Sequence, residues 1–110
     1  MIGSASIAFF HRGTRMFIVF LRFAVDRSQA APLLQAHAQW LQQGFDDGVF
    51  ALAGSLPPQA VGAILAHGLS RSDLERRLQA DPFVAAGVVH SEIVEVAPAK
   101  AATGLEFLLT

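Results

Sequence analysis

Two side chains are candidates for acid–base chemistry, His37 and Asp81. The chain has four histidines and no cysteine, which excludes thiolate nucleophiles, disulfides and zinc–thiolate sites. His37 lies in the middle of an apolar helical stripe, so its ring points toward a core rather than toward water. It is either a general acid or base, or a structural histidine with one satisfied hydrogen bond. Position alone favours the structural interpretation. The stripe contains Leu33, Trp40, Leu41 and Phe45.

Asp81 also has two interpretations. It precedes Pro82, so it can cap a short helical turn that begins with this proline. Alternatively, its carboxylate orients a histidine or takes a proton. Position alone favours the cap here too.

Other polar residues give weaker signals. Arg22 ends the first strand, where it could contact an anionic ligand or form a salt bridge at the rim. Ser55 lacks the flanking pattern of a nucleophilic serine. No two histidines have metal-ligand spacing on one element, so we predict neither a metal site nor a cofactor.

The elements that position these side chains follow the order β-α-β-β-α-β. The first strand is β-branched, aromatic and apolar on both faces, so both faces should be covered. A cap at Asp26 or Ser28 opens the first helix. This order predicts a ferredoxin-like α+β domain, with two helices on one face of a four-stranded antiparallel sheet. The predicted strands are 16–23, 49–54, 62–67 and 88–96, and the predicted helices are about 28–46 and 73–80, with one further turn at 82–86.

The composition predicts a partner. Apolar residues make up 53% of the 110 residues and charged residues only 15%, against roughly 25% in average chains. The longest apolar run, Met16 to Leu21, is far shorter than the roughly 18 residues of a membrane span. We therefore predict a homodimer and no membrane insertion. The net charge of −1 argues against a nucleic-acid partner, and a cytoplasmic location fits the lack of cysteine.

Three segments resemble the YciI-related family: His37 to Leu41, Gly48 to Gly54, and Ala80 to Val88. The similarity extends over residues 16–96 in the same order, and the Asp-Pro-aromatic sequence that begins at Asp81 is its most specific part. It implies a dimeric α+β barrel fold like that of muconolactone isomerase. It also implies that His37 and Asp81 match a recurring pair in that family, which is proposed to be catalytic or ligand-binding. The resemblance therefore reverses the preference for their structural interpretations.

The chain departs from the family at two places. Ser55 follows Ala53 and Gly54 where the family usually has a proline. Gln35 and Ala36 stand where the family often has an arginine before the histidine. If that arginine binds an anionic substrate, the ligand of this chain differs.

The resemblance implies a small-molecule enzyme whose His37 and Asp81 perform acid–base chemistry, such as elimination or isomerisation of a small cyclic or aromatic substrate. The alternative is a non-catalytic ligand-binding or structural homodimer in which these residues form a buried polar pair. In either case we expect the two side chains to be within direct hydrogen-bond distance or one water apart. The predicted substrate contacts are Arg22, Trp40, Ser55 and Phe83.

The chain divides into three predicted parts. Residues 1–15 form an N-terminal extension, 16–96 the ferredoxin-like domain, and 97–110 a linker with an apolar tail. Leu105, Phe107, Leu108 and Leu109 are too apolar to remain in water. We expect this tail to dock on a sheet edge or on a partner chain.

Overall fold

A computed structural model describes residues 15–57 and 62–109. It contains one antiparallel sheet with strand order β2-β3-β1-β4, and helices pack on one of its faces. The ferredoxin-like α+β architecture expected from the sequence is confirmed. The elements are β1 (Met16–Phe23), α1 (Leu34–Asp46), β2 (Phe50–Gly54), β3 (Gly62–His67), α2 (Arg71–Gln79), α3 (Pro82–Ala85) and β4 (Val89–Val96), with 3-10 helices at Arg27–Leu33 and Glu106–Leu109.

The central strand β1 separates a buried face from an open one. Phe17, Val19 and Leu21 are at most 2% exposed and form the core together with side chains from the helices. The alternate residues Ile18 and Phe20 point the other way and are only partly buried. This second face, which we call the open sheet face, includes the apolar residues Ile18, Phe20, Leu52, Leu65 and Val94.

The first helical segment differs from the single helix expected over about 28–46. Asp26 accepts a hydrogen bond from the Ser28 backbone N–H at 2.9 Å, and a 3-10 helix follows. Pro32 lies inside that 3-10 helix, and α1 begins only at Leu34. Proline has no N–H to donate and its ring hinders a preceding α-turn, which explains why the regular helix starts after it.

A glycine lets α1 approach β2 closely. A Cβ atom at Gly44 would lie only 2.1 Å from the Phe50 ring, so no other residue fits without a shift. Phe50 in turn makes an edge-on contact with the Trp40 ring, with a centroid distance of 5.4 Å. This packing fixes the rotation of α1 about its axis and therefore the direction in which His37 points.

The helices α2 and α3 pack beside α1 on the same face of the sheet. Ser70 caps α2 by accepting a hydrogen bond from the Asp73 N–H at 3.1 Å, and Leu74 and Leu78 are buried. Asp81 then caps α3, which is the short turn expected after the helix. The chain enters β4 after Gly87, whose φ of +73° suits a residue without a side chain.

The apolar tail packs on its own chain. Leu108 in the last 3-10 helix is 8% exposed, and the Phe107 ring lies 5.0 Å from the ring of His67. His67 ends β3, an inner strand, so this contact is at the end of the sheet and not along an edge strand. The predicted division at 97–110 stays a prediction, and residues 1–14 lie outside the described residues.

Candidate active site

The His37 and Asp81 side chains meet although 44 positions separate them in the sequence. The distance from His37 Nδ1 to Asp81 Oδ1 is 2.8 Å, which is a direct hydrogen bond. The His37 side chain is 13% exposed and that of Asp81 is fully buried. The expected proximity is therefore confirmed, whereas the catalytic role of the pair stays a prediction.

Asp81 combines the two roles that the sequence left as alternatives. Its Oδ1 atom accepts a second hydrogen bond from the Phe83 backbone N–H at 3.1 Å, so the carboxylate also caps α3. Because the cap fixes the carboxylate, the hydrogen bond to His37 has a defined direction. The other oxygen, Oδ2, is buried and has no hydrogen-bond partner within 15–57 and 62–109.

Two aromatic residues hold the His37 ring. Phe83 stacks on it at a centroid distance of 4.1 Å with an interplanar angle of 11°. Trp40 lies at 5.7 Å and 29°. The Trp40 indole N–H also donates to the backbone carbonyl of Arg77 at 3.0 Å, which ties α1 to the end of α2. The imidazole is therefore fixed by stacking as well as by the hydrogen bond from Nδ1.

An ion pair strengthens the same junction between α1 and α2. The Arg77 guanidinium donates to Asp47 Oδ2 at 2.9 Å, just after the end of α1. Hydrogen bonds from Gln43 and from Arg77 lower the pKa of the Asp47 carboxyl below its ordinary value. Asp47 thus remains charged and holds the Arg77 side chain at this junction, where the Arg77 backbone carbonyl accepts from Trp40.

Because the Asp81 carboxylate can only accept a hydrogen bond, it determines the tautomer of His37. A carboxylate cannot donate, so Nδ1 carries the proton that it accepts. In the neutral imidazole the lone pair is then on Nε2, and Nε2 is the nitrogen that remains for a ligand. A histidine with this orientation can take a proton at Nε2 and later return it.

His37 lines a pocket of about 250 Å³ between α1 and one end of the sheet. At this end β1 and β2 finish and β3 begins. Two lining side chains are polar, His37 and Ser55, and the remaining wall is apolar or glycine. The other lining residues are Leu21, Leu41, Ala53, Gly54, Gly62, Ala63 and Ile64.

The four predicted substrate contacts occupy different places. Ser55 lines the pocket. Trp40 and Phe83 pack against the His37 ring and are positioning residues in this arrangement. Arg22 is not brought to the pocket: its Nε donates to Glu92 Oε1 at 3.2 Å, and it shares the face of Ile18 and Phe20. The strand alternation sends it there, away from the helix side.

Sequence reasoning missed most of the pocket wall. Leu21 and Leu41 were assigned only to a strand and to an apolar stripe. Gly54 pairs with Ala63 across β2 and β3, and a Cβ on the neighbouring Gly62 would lie 2.6 Å from the Gly54 carbonyl oxygen. A glycine at each end of a predicted hairpin is a signal for such a close approach. Among the described residues, no cluster of three or more His, Asp or Glu side chains could hold a metal ion.

These features define a class of protein: a ferredoxin-like α+β domain with a buried His–Asp pair beside a small apolar pocket. The YCII-related domain matches residues 16–100, and the chain belongs to this family. This confirms the resemblance seen in the sequence.

A solved structure has the same fold. It is 5-chloro-2-hydroxyhydroquinone dehydrochlorinase from Burkholderia phenoliruptrix in complex with 2,5-dihydroxybenzoquinone. The two chains superpose with a TM-score of 0.62 over 72% of this chain and 90% of the other, at 13% sequence identity. The likeness at this identity is one of fold. A comparison with the curated proteins gives no match.

Proposed function

We propose that this protein is a small-molecule enzyme in which His37 is the general base and acid and Asp81 orients it. The observation that carries the proposal is the 2.8 Å hydrogen bond from Nδ1 to a buried carboxylate, on a histidine that lines a pocket. Membership of the YCII-related family and the fold shared with a dehydrochlorinase support a catalytic role.

The chemistry that suits this pair is elimination or isomerisation on a small cyclic substrate. His37 Nε2 removes a proton from the substrate, and the electron pair left behind expels a leaving group or moves a double bond. Asp81 stabilises the imidazolium that forms, because its carboxylate lies against Nδ1. Nε2 then returns the proton, either to another atom of the substrate or to solvent.

The alternative is that the pair is a structural element of a binding protein. A histidine ring packed on all sides would favour that alternative. His37 is instead bordered by an open pocket whose wall is mostly apolar, the composition typical of small-molecule sites. We therefore favour the enzyme.

The test is a ligand screen by thermal shift, followed by turnover assays on the compounds that bind. The panel contains small cyclic compounds with an acidic proton, including 5-chloro-2-hydroxyhydroquinone, from which loss of HCl is followed as chloride release. We expect turnover by the wild type and its loss, by a factor of roughly 10²–10⁴, in His37→Gln. Equal turnover by the wild type and His37→Gln would contradict the proposal.

We also propose that the open sheet face forms a homodimer interface. Leu52 is 59% exposed and Val94 is 43% exposed, and both lie on this face with Ile18 and Phe20. A contiguous apolar surface of this kind is typical of an interaction site. Obligate dimers often bury more than about 2,000 Å² in total, which requires most of the face.

Light scattering on two matched variants tests the dimer. Leu34 on α1 is exposed to the same 59% as Leu52 but lies on the helical side. We expect a dimer mass for the wild type and for Leu34→Glu, and a monomer mass for Leu52→Glu. A monomeric wild type at micromolar concentration would disprove this interface.

A further inference from the structure

The pocket beside His37 contains few polar or charged side chains. Of its nine lining residues within 15–57 and 62–109, only His37 is ionisable, and Ser55 is the other polar side chain. In the sequence, residues 58–61 are Pro, Gln, Ala and Val, and none of them is charged. Neither the described lining residues nor residues 58–61 therefore include an arginine or lysine that could pair with an anionic ligand.

The His37–Asp81 pair carries no net positive charge. When His37 is neutral the buried carboxylate of Asp81 makes the pair negative, and when His37 is protonated the two charges cancel. Two arginines in or just after β1 contact other groups. Arg22 pairs with Glu92 on the open sheet face, and the Arg27 guanidinium lies 5.9 Å from the centre of the Phe23 ring. Moving a carboxylate from water into this wall would cost several kcal/mol, because no cation there replaces its hydration.

The volume restricts the ligand as well. A cavity of about 150 Å³ accommodates benzene, and pockets for drug-sized ligands begin at about 300 Å³. The volume of about 250 Å³ lies between these limits. It fits one ring with a few small substituents. The apolar wall contributed by Leu21, Leu41 and Ile64 suits the flat face of such a ring.

We propose that this pocket selects an uncharged single-ring compound that bears a hydroxyl or carbonyl group, and that Ser55 hydrogen-bonds this group. Ser55 is exposed where the chain leaves β2, so its hydroxyl lies at the rim and can donate or accept. His37 Nε2 is the second polar contact and meets the proton that is transferred. The proposal rests on the proposed function for the role of His37, and it adds the substrate class and a specificity-determining residue.

The first experiment compares two probes of equal size, 4-hydroxybenzyl alcohol and 4-hydroxybenzoate, by calorimetric titration of the full chain. We expect the neutral alcohol to bind at least tenfold more tightly than the anion. Ser55→Ala should weaken binding of the alcohol by roughly threefold to tenfold, the size expected for one neutral hydrogen bond. Tighter or equal binding of the benzoate, no binding of either probe at millimolar concentration, or an unchanged affinity in Ser55→Ala would overturn the proposal.

A charge placed in the wall supplies the converse test. Ala53 is exposed and lines the pocket, so Ala53→Lys adds a cation there, whereas Ala102→Lys adds the same charge at an exposed position of the C-terminal tail. We expect Ala53→Lys to reverse the preference toward the benzoate and Ala102→Lys to leave it unchanged. An equal response of the two variants would overturn the proposal. Binding is measured here without turnover, so failure of the charge preference is distinct from failure of His37 as a base, which the turnover of His37→Gln tests.

Discussion

Replacement of Asp81 by alanine tests how strongly the His–Asp pair is coupled. The substitution removes two hydrogen bonds made by one oxygen, the cap to Phe83 N–H and the bond to His37 Nδ1. The cap alone is worth about 1 kcal/mol. A buried imidazole N–H without a partner costs a further 1–3 kcal/mol or so. The expected loss in the free energy of unfolding is therefore about 2–4 kcal/mol, which lowers the Tm of a chain this size by about 10 °C or more.

Ser70→Ala is the matched control, because Ser70 caps α2 through Asp73 N–H and its hydroxyl has no hydrogen bond to a histidine of the described residues. It should cost only about 1 kcal/mol. Chemical denaturation of both variants, of His37→Ala and of the double variant with Asp81→Ala gives the coupling free energy, for which we expect about 1–3 kcal/mol. If Asp81→Ala costs no more than Ser70→Ala, or if the coupling is below about 0.5 kcal/mol, the carboxylate is only a cap and the argument for an oriented base fails.

Three further variants test the packing and the pH response. Gly44→Ala should lower the unfolding free energy by about 1–3 kcal/mol and alter Trp40 fluorescence, because the added methyl group overlaps the Phe50 ring. Leu108→Ala should cost about 2 kcal/mol in denaturant titrations, because it removes the buried anchor of the tail. Burial lowers the pKa of His67 below its ordinary 6.5, because it disfavours the charged imidazolium in the folded state. The folded state is therefore most stable above pH 6.5, where His67 is neutral in both states, and it loses stability as the pH falls from 6.5 through the lowered pKa. The free energy of unfolding of the wild type should therefore fall more steeply than that of His67→Gln between about pH 7 and pH 5.

Each of these variants has an internal comparison. Gln39→Ala changes an exposed position of the same helix as Gly44 and should leave stability unchanged or slightly raised. Leu105→Ala removes a leucine that is 47% exposed and should change stability by less than about 0.5 kcal/mol, so an equal loss in Leu105→Ala and Leu108→Ala would argue against docking of the tail. Parallel curves of unfolding free energy against pH for the wild type and His67→Gln would show that protonation of His67 is not linked to unfolding.

The local sequence was sufficient to predict the elements and the side of the helix on which His37 lies. The spacing of apolar residues along α1 predicted that the His37 ring points toward the sheet. The dipeptide Asp81-Pro82 predicted the turn that brings the Asp81 carboxylate near this ring. Local patterns predict these features because they depend on residues within one or two helical turns. The boundary of α1 was the exception: Pro32 diverted the first turns into a 3-10 helix.

The sequence alone indicated which face of β1 Arg22 lies on, but only the fold showed that this face is the one without the pocket. Its even spacing from Ile18 and Phe20 places it on the same face of β1 as those residues. Which face contains the pocket depends on where the helices pack. Once α1 lies over Leu21, Arg22 must point away from His37.

The sequence by itself determined the order of elements, the family and the two residues of the pair. Only the tertiary structure decided that one oxygen of Asp81 both caps α3 and binds His37, that Phe83 stacks on the ring, and that Ser55 alone accompanies His37 as a polar side chain of the described pocket wall. The physical reason is that helices and strands follow from neighbours along the chain, whereas a pocket is the volume left where distant elements fail to fill space. That volume depends on the sum of contacts between those elements, and no local pattern records it.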